Sequence, residues 1–456
     1  MINWILMRMM NPLTDDVTRT MLTQDYPTNP FEIVTVADKL TPRAIIEAGM
    51  RSQTGKALQR PFGSPVVRSP WDDILLTPRQ LFQLPTATLD EISTATVIGR
   101  NARKPLNLDI PIMITGMSYG GSLSLKLKMA LAKGSAMVGT STNTGESAVT
   151  GETRSLAKYL VGQYNRGGWL TSREQLSLLD AIEIQLGQGA FGGAVESTMQ
   201  SATIGKHLRK TWHLKEGQDA TVRARMPGVS TPRDIVELVS SLKSAHDIPV
   251  GVKIAASDFI EKELQVIAQT DADFVVIDGA EGGTAVAPPT LEDDLGLPTL
   301  YGLARTVDWL EGQGLRDRFS VIAAGGMRTP GQFLKALAIG ADAVYVGSIA
   351  VLAAVHAQVV KILPKAVPAQ MVLYDGQYSD KLDVDQAATS LANFLKSCTE
   401  EMKLALQALG KKSVRELARE DLVATCKDLA EFMNIRYAGS PRRYASKTQL
   451  ASDRLK

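Results

Sequence analysis

Two glycine-bearing segments carry the first chemical signal in this chain. Ala323-Ala324-Gly325-Gly326-Met327 follows an apolar run, and Ala343-Val344-Tyr345-Val346-Gly347-Ser348 answers it one helical connector later, at Pro330 to Ile339. Glycine lets backbone N–H groups approach an anion with no Cβ in the way, and a following helix N-terminus adds a favourable dipole. Gly325, Gly326, Gly347 and Ser348 are therefore candidates for holding a phosphate, where a (β/α)₈ barrel holds one after its last two strands. Barrels that bind phosphorylated sugars use the same place, and plain αβ turns also use glycine.

Lys253 is the second signal. It interrupts the apolar segment Ile248-Pro249-Val250-Gly251-Val252-Lys253-Ile254, and a buried ammonium needs an anionic partner. A flavin supplies one, because its reduction leaves negative charge near N1 and the adjacent carbonyl. A carboxylate such as Asp278 supplies another, for purely structural reasons.

These residues need elements to position them. Strand signals recur at Pro111–Thr115, Met137–Thr140, Ala181–Leu186, Val222–Met226, Val250–Ala255, Phe274–Asp278, Ser320–Ala323 and Ala343–Gly347. Helical patterns such as Ser122–Lys133 and Pro232–Ser244 lie between most of them, so the strands should be parallel. Eight of them close a barrel. The expected fold class is thus α/β, a TIM (β/α)₈ barrel with an irregular N-terminal arm and a C-terminal helical extension. The divisions expected are an arm or cap over 1–108, the barrel over 109–365, and an extension over 366–456 that packs on the barrel.

Chemistry in such a barrel belongs to the strand C-termini. The first strand ends in Thr115-Gly116-Met117-Ser118-Tyr119-Gly120-Gly121, and the second is followed by Ser141-Thr142-Asn143-Thr144-Gly145-Glu146. The third runs into Gln185-Leu186-Gly187-Gln188-Gly189, and the sixth into Asp278-Gly279-Ala280-Glu281-Gly282-Gly283-Thr284. Glycine, amide and hydroxyl groups collect at one face. They suit a ligand with many acceptors and a large flat surface.

Composition narrows the class. The 456 residues carry 50 basic and 48 acidic side chains in an interspersed pattern, which leaves no footprint for nucleic acid or an anionic membrane. A 44% hydrophobic content with 5% aromatics suits parallel strands covered on both faces. The two cysteines, Cys398 and Cys426, form no cluster, which argues for a reducing compartment and against a cysteine-bound iron–sulfur centre. The apolar stretch Trp4 to Met10 contains Arg8 and is too short for a membrane span, so a cytoplasmic protein is expected. No metal site is expected, nor a built-in dinucleotide domain, since no Gly-x-Gly-x-x-Gly follows a strand.

At this point several ordered motifs carry a family resemblance. Met117-Ser118-Tyr119-Gly120, Thr142-Asn143-Thr144-Gly145-Glu146, Gln163-Tyr164-Asn165-Arg166-Gly167, Gln188-Gly189-Ala190, Val252-Lys253-Ile254, Gly282-Gly283-Thr284, Ala324-Gly325-Gly326 and Leu391-Ala392-Asn393-Phe394-Leu395 occur in order. Their sequence resembles the FMN-binding domain of the glutamate synthase large subunit, and most of all the stand-alone glutamate-synthase-like proteins. The resemblance spans about Trp71 to Gly439. It implies a TIM barrel, FMN, and reductive formation of glutamate from 2-oxoglutarate and ammonia. Carried over by position, it places Met117 and Ser118 along the flavin ring, and Asn143 and Thr144 at its edge. Gln188 and Lys253 fall on the pyrimidine side with Lys253 near N1, Gly283 and Thr284 at the ribityl chain or ring, and Gly325, Gly326, Gly347 and Ser348 at the phosphate. Lys253 and Glu146 are the catalytic candidates, Glu146 as a proton handler or else a solvated loop carboxylate.

The chain departs from the family twice. The family's cysteine cluster after the eighth strand is replaced by Leu352-Ala353-Ala354-Val355-His356-Ala357-Gln358-Val359-Val360, where His356 reads as a packed or capping residue. After Gln188, the family's lysine and proline-glycine loop gives way to Ala190-Phe191-Gly192-Gly193-Ala194, and Phe191 does not attract a carboxylate. No amidotransferase nucleophile is evident. The reading is an FMN-dependent oxidoreductase without an iron–sulfur cluster, acting on a small-molecule substrate. It draws on an external electron donor or reductase and takes ammonia from solution or a separate subunit. The alternatives are an FMN oxidoreductase or isomerase acting on another small metabolite, or a flavin-binding subunit without turnover of its own.

Overall fold

The computed structural model describes residues 14–25, 28–30, 32–54, 56, 58–60, 62–189, 196–283 and 287–441. The chain divides into two units, Met1–Gln59 and Arg60–Lys456. The first contains the helices Glu32–Leu40 and Pro42–Thr54, joined through Thr41 at a φ of 63°. Residues 60–108 of the expected arm belong to the larger unit.

The larger unit is built on eight parallel strands. They are β1 (Ile112–Ile114), β2 (Ser141–Asn143), β3 (Tyr159–Tyr164), β4 (Ala181–Gln185), β5 (Val250–Ala255), β6 (Phe274–Asp278), β7 (Ser320–Ala324) and β8 (Ala343–Val346). Hydrogen bonds join them in the order β1-β8-β7-β6-β5-β4-β3-β2, the sequence of a TIM barrel. The ring is nearly closed. Among the described residues no backbone ladder joins β1 to β2, and the Thr140 hydroxyl bridges the seam by donating to the Ile112 carbonyl at 2.7 Å.

Three of the strand expectations need correction. Tyr159–Tyr164 is a barrel strand that the sequence reading passed over, because Gly162 and the inward Gln163 break its apolar run. Met137–Thr140 is the end of a helix and a turn: Gly139 takes a φ of 70°, and the strand begins one residue later in the polar segment Ser141–Asn143. Val222–Met226 lies outside the barrel. Its first residue ends the short strand Ala220–Val222, which pairs antiparallel with Ser197–Met199.

Helices follow the strands and cover them: α1 (Leu125–Ala136), α2 (Gly151–Leu156), α3 (Pro232–Ala245), α4 (Ile260–Ile267), α5 (Thr299–Gly312), α6 (Pro330–Ile339) and α7 (Ser348–Val355). Their ends obey local rules. Ser124 caps α1 by accepting from Leu127 N, and α6 starts with Thr329 accepting from Gln332 N, has Pro330 in its first position and stops at Gly340. The C-terminal extension contains the 25-residue helix α8 (Val384–Ala408), which is capped by Asp383 and lies against α1. A Cβ at Gly134 of α1 would sit 2.8 Å from the Ala388 carbonyl, so this glycine sets the closeness of the two helices. After Gly410 the extension, expected to be helical, gives way to turns, the strand Leu422–Ala424 and the short helix Lys427–Phe432.

Apolar burial fills three zones. The largest lies between strands and helices, with Ile182, Val252, Ile277 and Leu303 fully buried. A second fills the barrel interior with Met113, Val161, Phe274, Val276 and Ile322, plugged from below by Ile98, Leu106 and Leu108 of the hairpin Thr96–Ile98/Leu106–Leu108. Each such side chain contributes about 1.5–3 kcal/mol on burial. The third joins the loops after β1, β2 and β3 to the excursion between β4 and β5, through Tyr119, Ala148, Trp169, Leu208 and Trp212.

Candidate active site

Above the apolar plug the barrel lumen turns polar. Lys253 of β5 is buried with its Nζ 2.8 Å from Asp278 Oδ2 at the end of β6. Burial lowers the lysine pKa, but the charges of Asp278 and Glu183 and the hydrogen bond to Asp278 outweigh it, so the net displacement is upward. Lys253 therefore stays an ammonium. The carboxylate partner that the sequence left as an alternative is present.

Around this pair lies a connected layer. Glu183 of β4 accepts from Gln163 Nε2 at 2.6 Å and from the Tyr345 hydroxyl at 2.8 Å. Burial, then the Glu183 charge, push the Tyr345 phenol well above its ordinary value, so the proton remains on the tyrosine. The Asn143 amide reaches the same hydroxyl at 3.4 Å and accepts from Gly145 N at 2.9 Å. Thr144 donates to the Gly145 carbonyl and accepts from Gln163 N. Asn143 and Thr144 thus use their side chains to hold the loop after β2. Gly145 makes this possible: at a φ of 65°, its missing Cβ would lie 2.4 Å from Ser118 N, in the turn that carries Met117 and Ser118.

Several polar atoms in this region have no protein partner. Both amide atoms of Gln185, Gln163 Oε1 and Ser141 Oγ are buried and unpaired among the described residues. Leaving a buried amide unpaired costs about 1–3 kcal/mol, which is recovered when a ligand supplies the missing groups. Gln185 stands level with Lys253 across the β4–β5 ladder. Neither glutamine role was read from the sequence. The available signal was a polar residue inside a strand, which also hid β3.

The glycine loops after β7 and β8 lie at the same barrel end as this polar layer. Gly325 and Gly326 take φ values of 108° and 66°, and a Cβ on Gly325 would lie 2.5 Å from Thr299 Oγ1. The N–H groups of Gly326, Met327, Gly347 and Ser348 donate to no protein acceptor among the described residues. Gly347 precedes α7, so its loop opens on a helix N-terminus. Orphaned amides, a buried cation and free glycine N–H groups together fit a phosphorylated flavin.

Other candidates are placed as follows. Glu146 forms a two-pronged ion pair with Arg166, at 3.2 Å for both oxygens, and so is not simply a solvated loop carboxylate. Gln188 is half-buried on the loop after β4, where Gly189 meets Gly282 so closely that a Cβ would reach 1.6 Å from its carbonyl oxygen. Gly283 is exposed beside Gly63, while Thr284 and Phe191 lie outside the described residues. His356 is exposed and so not packed, and it occupies the C-cap position of α7. Glu281, which the sequence left without a role, accepts from Ser69 N at 2.7 Å and from Thr299 N at 2.9 Å, binding the segment at Ser69 and the start of α5 beside the Gly325–Gly326 loop.

This is the architecture of a TIM barrel with its polar mouth at the strand C-termini. The sequence pattern described as "Conserved region in glutamate synthase" matches residues 76–412. The chain belongs to the glutamate synthase family. A "Glutamate synthase large subunit-like protein" of Rhizobium meliloti (strain 1021) is 32% identical over 81% of this chain and 88% of its own length. An "Archaeal glutamate synthase [NADPH]" of Methanocaldococcus jannaschii is 35% identical over 68% of this chain and 61% of its own. Among solved structures, an active chimera of (S)-mandelate dehydrogenase superposes with a TM-score of 0.51 at 14% identity, covering 80% of this chain and 92% of that one. That likeness concerns the fold alone.

Proposed function

We propose that the protein binds FMN and uses it to reduce the imine formed from a 2-oxo acid and ammonia, with 2-oxoglutarate or a related acid as substrate and glutamate or a related amino acid as product. The observation that carries this reading is the unpaired polar layer, Gln163 and Gln185 beside the Lys253 ammonium, facing the same barrel end as the free N–H groups of Gly326 and Gly347. The names of the relatives support the reaction class.

When bound, FMN would supply the hydride from its N5. Lys253 would favour negative charge on the pyrimidine side, with Gln163, Gln185 and Gln188 completing its hydrogen bonds. Met117 and Ser118 would lie along the ring, positioned by Gly145, Asn143 and Thr144. Gly283 and Thr284 would approach the ribityl chain, and Gly325, Gly326, Gly347 and Ser348 the phosphate. Glu146, oriented by Arg166, is the group from which a proton would move to or from substrate. Electrons would come from an external donor, with NADPH the first to try given the relatives' names, and ammonia from solution or a separate subunit. We place the protein in the cytoplasm; among the described residues no helix is long and apolar enough to cross a membrane.

The test has two stages. Purified chain should retain or take up FMN, read by flavin absorbance, and should then convert 2-oxoglutarate and ammonium with a reductant. A chain that takes up no FMN would refute the reading.

A further inference from the structure

Lys128 sits on α1 in Leu125-Lys126-Leu127-Lys128-Met129, where Lys126 is exposed and Lys128 is 2% exposed. Its Nζ donates to one acceptor, the Asn143 carbonyl, at 2.5 Å. Lys128 borders a small cavity of about 10 Å³, with room for about one water, lined also by Tyr119, Thr144, Thr150 and Thr153. A buried lysine facing only a carbonyl and hydroxyls is unusual, because burial normally demands a carboxylate.

We propose that Lys128 is a protonation-dependent positioning residue for the flavin site, whose amine places or withdraws one positive charge behind the end of β2 by exchanging a proton with solvent. Asn143 is the link. Its carbonyl receives Lys128, while its side chain holds Gly145 and reaches Tyr345, which donates to Glu183. The ammonium form favours anionic ligands and the anionic reduced flavin, and the neutral amine keeps the hydrogen bond without the charge. The inference rests on the flavin reading above.

No charged group competes for Lys128. The β1 loop presents Tyr119, whose hydroxyl meets His207 at 3.0 Å. On α2 the charged groups are Glu152, which also faces His207, at 3.1 Å, and Arg154, which pairs with Asp180 at 2.6 Å. From α8, Asp385 is taken by Lys133 at 2.7 Å, and β3 presents Leu160. Strands β1 and β2 and helix α7 carry no titratable side chain. Burial alone therefore acts on the amine and brings its pKa down to about 7, within the working range of most enzymes.

The experiment measures FMN dissociation constants of the full chain by flavin fluorescence between pH 5.5 and 9, for wild type, Lys128→Met and Lys128→Gln. Wild type should lose about fivefold in affinity across a step centred near pH 7, of the size expected for one charge acting through a partly polar interior. Both variants should lack the step and bind as wild type does at high pH, and Gln, which keeps a donor for Asn143, separates charge from hydrogen bonding. Parallel profiles for all three proteins, or a step surviving in Lys128→Gln, would overturn the role of Lys128 and leave FMN binding intact. Absence of FMN binding at every pH would overturn the flavin reading itself and this inference with it.

Discussion

Lys253 and Asp278 face each other at 2.8 Å from adjacent parallel strands, both buried, in a layer whose neighbouring amides have no protein partner. The pair keeps a cation in place without a ligand and leaves its neighbours Gln163 and Gln185 to be completed by one. Replacing Lys253 by Met leaves Asp278 as an unpaired buried carboxylate and should destabilise the fold by about 3–5 kcal/mol. The double variant Lys253→Met, Asp278→Asn should recover most of that stability while keeping the cation absent. In Lys253→Met protein that retains its fold, the potential of bound flavin should fall by on the order of 30 mV, about 1.4 kcal/mol for two electrons, measured by dye equilibration, and by less in the double variant, where the Asp278 charge is gone as well. An unchanged potential would make the pair purely structural.

Gly326→Asp should abolish tight FMN binding. Position 326 has a left-handed φ of 66°, its Cβ would lie 2.6 Å from Glu281 Cβ, and the added carboxylate would repel the phosphate. A loss of about tenfold or more, ~1.4 kcal/mol, is expected in a fluorescence titration. Gly331→Ala, in α6 with nothing within 4 Å of the new methyl, is the control and should bind normally. Equal affinities in the two variants would exclude this loop from the phosphate site.

Lys128 also makes a stability prediction that needs no flavin. Its folded pKa of about 7 lies below the ordinary 10.5, so between these values the unfolded chain binds more protons than the folded one. Stability should accordingly rise with pH across that window. The penalty is full below pH 7, amounts to about 5 kcal/mol, and vanishes above 10.5. Lys128→Met should therefore stabilise the protein most at pH 6 and hardly at all at pH 10.5, as read by urea unfolding. A difference constant with pH would contradict the buried titration.

Iron and acid-labile sulfide, assayed on protein prepared without oxygen, should both be absent in stoichiometric amounts. Cys398 is buried on α8 and Cys426 is exposed at the start of a separate helix, and a cluster needs several thiolates together. Near-equimolar iron and sulfide would restore an internal electron relay.

The barrel was most legible where its strands are most apolar. Val250–Ala255 and Phe274–Asp278 were delimited from sequence because Val252, Ile254, Val275 and Ile277 face the helices while only Lys253 and Asp278 betray the mouth. Strands β2 and β3 were misplaced or missed for the opposite reason. Asn143, Ser141 and Gln163 turn inward to the polar layer, so the residues that make the site erase the hydropathy that would announce the strand. The glycine cradle was readable because left-handed backbone demands one residue type. Arg166 and Glu281 were not, because a charged residue in a loop looks the same whether it is solvated or clamped. Lys128 lay deeper still, in a pattern of alternating leucine and lysine that fits an exposed helix face.

The stacked indoles of Trp169 and Trp212 lie 3.8 Å apart and within 4° of parallel, one on the loop after β3 and the other on the excursion between β4 and β5. Two aromatic transition dipoles held so close couple, and the coupled pair absorbs circularly polarised light differently from the chain's other tryptophans. The protein thus carries its own optical gauge. Any lifting of the excursion from the barrel mouth separates the chromophores, and near-ultraviolet dichroism would follow that motion in solution without a label.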